Sequence, residues 1–195
     1  DDQIGRDFKA LMNIRGVNTS SFQTTCSAPT RVVLVRRDLD GERSFGGFEG
    51  NQAGGFADQK IDRKLLSETW DALASEAHWL LLGTIPLASQ TSSEAVWFAV
   101  DKALNSNIRI GVDLNWRPTF WGDHFSKDSG PHNSERLAIE PLLKVASLLK
   151  LAKEEAIWFF NTDDPIKISQ SLPNKPDVLV TDGSKPIKWL LMNFS

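Results

Sequence analysis

Apolar positions along the chain change their spacing twice, and the changes divide it into three stretches. In residues 4–14 Ile4, Phe8, Leu11 and Met12 recur at helical spacing, and Gly16 reads as the stop. Three strand-like pieces follow, at about 18–26, 31–38 and 43–49. The second is rich in Val and Leu, Asp38-Leu39-Asp40-Gly41 reads as a hairpin turn, and the third sets Phe45 and Phe48 around Gly46-Gly47. These pieces predict a β-ribbon ahead of the main fold, followed by a Gly-rich loop at 50–57. That loop does not end in Gly-Lys-Ser/Thr and reads as a hinge or substrate-side loop rather than a phosphate cradle.

From residue 62 helices and strands alternate. Helices are predicted at 62–77, with Leu65, Leu66, Trp70, Leu73 and Ala74 on one face, and at 92–104. A third spans 134–145, with Leu137, Ile139, Leu142 and Leu143 buried and Pro141 breaking or kinking it. Two more fall at 153–160 and 164–172. Buried strands are predicted at 79–82, 108–113 and 176–181, a short strand at 146–151, and a final strand at 187–192. Residues 122–133 read as a loop. The alternation predicts an α/β fold: a doubly wound, mostly parallel sheet with helices on both faces, plus the small ribbon.

Candidate chemistry gathers where strands end. The strand at 108–113 runs into Asp113, Asn115 and Arg117, followed by Pro118. The carboxyl edge of an open α/β sheet is where ligands bind, and a guanidinium can grip two phosphate oxygens at once. The same residues also suit a turn held by Asp and Asn, with Arg in a surface ion pair. Residues 152–155 and Thr181-Asp182-Gly183-Ser184-Lys185 end two further strands of the same predicted sheet. Each alone suits a common turn or a solvated helix start. Together they favour phosphoryl transfer, which needs positioned cations and amides more than a strong nucleophile. Trp116 and Trp121 flank the first strand end and suit either a pocket wall or the core.

Composition narrows the classes further. With 195 residues, 41% of them hydrophobic and 24% charged, the chain can bury the core of one sizeable domain. A net charge of -3 gives no nucleic-acid footprint, and no apolar run is long enough to span a bilayer. The lone Cys26 fits a small strand residue in a reducing compartment. His78, His124 and His132 lack close metal-ligand spacing. The start at Asp1 and the end at Phe194-Ser195 suggest a fragment.

These segments resemble the ribokinase-type (PfkB) carbohydrate kinase family, nearest to fructokinases, over nearly the whole chain. Asp1-Asp2-Gln3-Ile4-Gly5 is similar to the family's Asp-Asp-x-x-Gly, and residues 40–45 resemble the fructokinase lid ribbon. Asp113-Leu114-Asn115-Trp116-Arg117 with Trp121 resembles Asp-x-Asn-x-Arg…Trp, the most specific match, which 2-keto-3-deoxygluconate kinases also carry. Residues 150–155 are similar to the Asn-x-x-Glu region, and 180–186 to the nucleotide loop Val-Thr-x-Gly-x-x-Gly.

The resemblance implies transfer of the ATP γ-phosphoryl group to a sugar hydroxyl, with Mg²⁺. It implies nucleotide contacts at Asn115, Arg117, Thr181, Asp182, Gly183, Ser184, Lys185 and Pro186, and sugar contacts at Phe48 and Arg117. Glu155 would help to organise Mg²⁺. It further implies a lid over the sugar, a possible homodimer through the ribbon, and a cytoplasmic or, in a plant, plastid-stromal location. The chain departs from the pattern at Ala152, where the family has Asn, and at Pro186, where it has Gly. The Gly-Gly sugar-binding segment is expected before residue 1. The Gly-Ala-Gly-Asp segment with the general-base Asp is expected beyond Ser195. By itself this stretch is then not expected to catalyse efficiently. A catalytically impaired, fructokinase-like scaffold is the competing expectation.

Overall fold

Asp2 opens the first helix, α1 (Gln3–Ile14). Its Oδ1 accepts from the Gly5 amide at 2.8 Å and from the Thr30 hydroxyl at 2.8 Å, and its Oδ2 from the Thr30 amide at 2.6 Å. Those bonds, from Thr30 first and then Gly5, hold the Asp2 carboxyl down at about 2. A β-carbon on Gly5 would meet the Thr30 hydroxyl at 2.8 Å, so the helix start and the segment entering the ribbon need glycine there. Gly16, at φ 78°, ends α1 in a Schellman turn, with Val17 N–H reaching the Met12 carbonyl at 3.0 Å. The computed structural model describes residues 2–37, 43–49, 55–122 and 129–192, and only the backbone of 43–46. The expected turn at 38–41, most of the Gly-rich loop, the Phe45 ring and much of the 122–133 loop lie outside the described residues.

The ribbon pairs β1 (Val33–Arg37) with β2 (Arg43–Phe48) antiparallel, with a register shift between Leu34 and Val35. Residues 18–26 are not a strand. They run irregularly, held by side-chain bonds such as Thr19 to Asn13 and Gln23 to the backbone of Asp62, and Cys26 is exposed. Thr and Phe give that segment β propensity, but it has no strand to pair with among the described residues.

The main sheet has the order β3-β4-β5-β6-β7. Its strands are β3 (Trp79–Gly83), β4 (Arg109–Asp113), β5 (Leu148–Ala152), β6 (Asp177–Asp182) and β7 (Lys185–Leu190). The first four are parallel and β7 is antiparallel, so the mostly parallel α/β fold is present. The helices are α2 (Arg63–Ala74), α3 (Gln90–Asn105), α4 (Asn133–Val145), α5 (Lys153–Phe160) and α6 (Pro165–Ser171). Right-handed crossovers between strands laid down in sequence order carry α3, α4 and α5 to one face. Burial follows: Ile110, Val112, Leu149, Leu151, Val178 and Val180 join Val96, Ala99, Ile139, Leu142 and Ile168 in one core.

The opposite face is more open. Trp79 and Leu81 lie over Gly111, and Leu81 is 75% exposed. The expected burial of residues 79–82 is therefore corrected: among the described residues β3 is an edge strand, and an apolar run alone does not say which strands lie inside. Leu137, expected to be buried, is likewise exposed, and so are Leu65 and Leu73 on the apolar face of α2. Helix α4 continues through Pro141 to Val145.

Candidate functional site

The three polar strand ends lie side by side. Asp113 at the end of β4 pairs in register with Lys150 of β5, and Ala152 at the end of β5 with Thr181 of β6. Asn115, Arg117, Glu155 and the Thr181–Pro186 segment therefore share one carboxyl edge.

Beyond β4 the chain is pinned at alternate residues. Leu114 donates its amide to the Lys150 carbonyl at 2.9 Å and accepts at its own carbonyl from the buried Thr84 hydroxyl. Asn115 turns the backbone at φ 46°, a left-handed conformation that Asn tolerates. Trp116 then drops into the core, its ring nitrogen donating to the Ser129 carbonyl at 2.8 Å and its ring lying 5.7 Å from that of Trp121. The Arg117 guanidinium donates to the Trp116 carbonyl at 2.8 Å and stays exposed at the mouth of this edge. Asp113 and Lys150 form a half-exposed ion pair at 3.0 Å.

Glu155 is the hub of this loop. Only 3% exposed, its carboxylate accepts the Trp116 amide at 2.6 Å on one oxygen and the Ala152 amide at 2.7 Å on the other. It thus ties the loop after β4 to the start of α5. The second bond is half of a capping box; Ala152 has no side-chain oxygen to return it. Burial outweighs these bonds and the nearby Lys150 and Arg117 charges, and pushes the carboxyl above its ordinary value.

The next strand end is built differently. Gly183 and Ser184 form a two-residue turn between β6 and β7, with Gly183 at φ 55° and nothing within 4 Å of the place its β-carbon would take. The expected phosphate-approach loop is the tip of a hairpin, with Pro186 on the edge strand of the described sheet, where a missing N–H is tolerated. Asp182 Oδ2 accepts from Lys153 and from Lys185, each at 3.1 Å. Lys153 and then Lys185 hold the Asp182 carboxyl below its usual range, and Asp182 holds Lys153 above its own. Lys188 pairs with Asp163 at 2.7 Å. These residues line a cavity of about 290 Å³. A larger one among α4, α5 and α6 is lined by none of the expected site residues.

Phe48 ends β2 and is buried, with ring centres 5.3 Å from Phe56 and 5.4 Å from Phe120. The Arg31 guanidinium lies 4.7, 4.1 and 4.1 Å from the centres of Phe48, Phe56 and Phe120 and pairs with Asp58 at 3.0 Å. This cluster fastens the ribbon to the loop that carries Arg117. Arg31 and Lys153 escape sequence reading because their partners are 27 and 29 residues away. Among the described residues no group of three or more His, Cys, Asp or Glu is arranged to hold a metal ion, and no helix is long and apolar enough to cross a membrane.

Residues 1–191 match the model of the pfkB family carbohydrate kinases. A fructokinase of Vibrio alginolyticus is 24% identical over 189 residues, which are 96% of this chain and 56% of that protein. The crystal structure of a fructokinase with bound ATP from Xylella fastidiosa gives a TM-score of 0.75 at 24% identity, covering 97% of this chain and 56% of that one. A fructokinase from Vibrio cholerae in a form with fructose, ADP and calcium ion gives 0.69 at 20% identity, covering 99% and 58%. The chain spans about half the length of these relatives, and the fold it shares with them is the ribokinase-like one that the resemblance implied. With the family model covering residues 1–191, the chain belongs to the pfkB family of carbohydrate kinases.

Proposed function

We propose that the full-length protein transfers the γ-phosphoryl group of ATP to a hydroxyl of a sugar, fructose in the first instance, and that this chain supplies its nucleotide edge. The observation that carries the reading is the alignment of three adjacent strand ends, which sets Arg117, Lys153 and the β6–β7 hairpin along one edge. In the reaction the sugar oxygen bonds to the γ-phosphorus, the bond from phosphorus to the β,γ-bridging oxygen breaks, and ADP leaves. The hydroxyl proton goes to the general base expected beyond Ser195. Asn115 and Arg117 face the phosphates and sugar, and Thr181 to Pro186 flank the nucleotide. Magnesium enters as part of the nucleotide substrate. Because both Glu155 oxygens already hold backbone amides, Glu155 acts on that ion at one remove, by fixing the loop that meets it. Phe48 sits at the ribbon's base, where the lid excludes water from the sugar. The exposed Val33, Leu34 and Val35 make the ribbon the natural homodimer contact.

The impaired-scaffold reading draws on Ala152 and Pro186. A coupled ADP-release assay on the full-length protein, with MgATP and either fructose or 2-keto-3-deoxygluconate, separates the two. The proposal expects release that depends on fructose. Release with the keto-acid alone would reassign the substrate. No release with either, and no ATP binding by calorimetry, would leave the scaffold.

A further inference from the structure

We infer that Lys153 takes over phosphate binding next to Ala152, and that Asp182 is the counter-ion which Lys153 and Lys185 exchange for the phosphates of a nucleotide. The inference rests on the nucleotide-binding reading above and identifies which side chains of that site would do the binding.

Ala152 offers no polar side chain at the position where the family's pattern has Asn. One residue on, Lys153 begins α5 and extends to the end of β6, where its ammonium meets Asp182. Two ammonium groups thus converge on a single carboxylate oxygen beside the turn. A carboxylate oxygen shared by two lysines occupies the kind of place a phosphate oxygen would take. An ammonium has three donors, so neither lysine is saturated by Asp182.

The Lys153 and Lys185 side chains are 39% and 67% exposed, and ion pairs this open are weak and readily exchanged. The cavity beside them carries Lys153, Lys185 and Lys188 against Asp163 and Asp182, an excess of one positive charge in a chain whose net charge is -3. Space around Gly183 is open, so a phosphate can also approach the turn's backbone.

Calorimetry of the full-length protein with MgADP tests this on four variants. Lys153→Ala should weaken binding by about 10- to 100-fold, the worth of one charged hydrogen bond. Lys153→Arg should stay close to wild type, and so should Lys167→Ala, a lysine lost from an exposed position on α6. Asp182→Asn should tighten binding several-fold, because the lysines no longer have a competing anion. Urea midpoints near wild type confirm that the variants fold. Wild-type affinity in Lys153→Ala, or weaker binding in Asp182→Asn, would overturn the inference while leaving the nucleotide reading in place. A wild-type protein that binds no MgADP would overturn both.

Discussion

Glu155 and Asp182 stand at neighbouring strand ends of one sheet and do opposite work. Glu155 is buried and spends both oxygens on backbone amides; Asp182 lies at a hairpin and holds two lysines that solvent also reaches. The first carboxylate shapes the loop after β4, since without it Trp116 and Ala152 would have donors with no acceptor. The second changes little in the backbone and can be traded for another anion. The contrast teaches that sharing a site edge does not give two acids the same role. Burial and partner type decide: a buried acid on backbone donors is architecture, and an open acid on ammonium groups is an exchangeable contact.

The largest effect that would sharpen this contrast is expected at Glu155. Glu155→Ala removes the acceptor of the buried Trp116 amide and of the part-buried Ala152 amide and should cost roughly 2–5 kcal/mol in urea unfolding of the full-length protein. Glu155→Gln keeps one acceptor but turns an amide N–H₂ toward the other donor, and should cost about half as much. The pH dependence has a definite sign. Because the folded carboxyl is raised above its ordinary 4.5, its contribution is full below that value and declines as pH rises through the folded value. The lead of wild type over the Gln variant should therefore be widest below pH 4.5 and narrow above it. A lead that grows with pH would mean that the backbone bonds, rather than burial, dominate.

A middle effect is expected at Thr84, which is fully buried and donates to the Leu114 carbonyl in the same loop. Thr84→Val keeps the shape and should cost about 1 kcal/mol by the same assay, with Trp116 fluorescence shifted as the loop loosens. A neutral result would mean that Glu155 and the loop's other bonds hold it without Thr84. The smallest effect on stability is expected at the hairpin. Asp182→Asn should leave the urea midpoint unchanged, and a marked loss would break the comparison by making Asp182 architectural too.

Much of this edge was legible in the sequence. Ile108, Ile110 and Val112 marked the strand, the polar run from Asp113 to Arg117 marked its end, and Thr181 to Lys185 marked the turn, because apolar periodicity and turn chemistry are local signals. Burial of whole strands and faces was not. Trp79 to Leu82 and Leu137 look as apolar as core residues, but their exposure depends on which elements lie beside them. The irregular 18–26 segment was misread for a related reason, since β propensity says nothing about a partner. The task of Glu155 was half visible in its place at the start of α5. Its bond to Trp116 spans 39 residues, and only the register of β4 with β5 brings the two together.

The most direct test is a crystal structure of the full-length protein with MgADP. The account predicts that Lys153 and Lys185 leave Asp182 for phosphate oxygens, while Glu155 keeps the amides of Trp116 and Ala152. Phosphates bound elsewhere with both lysines still on Asp182, or Glu155 released from the backbone, would contradict it.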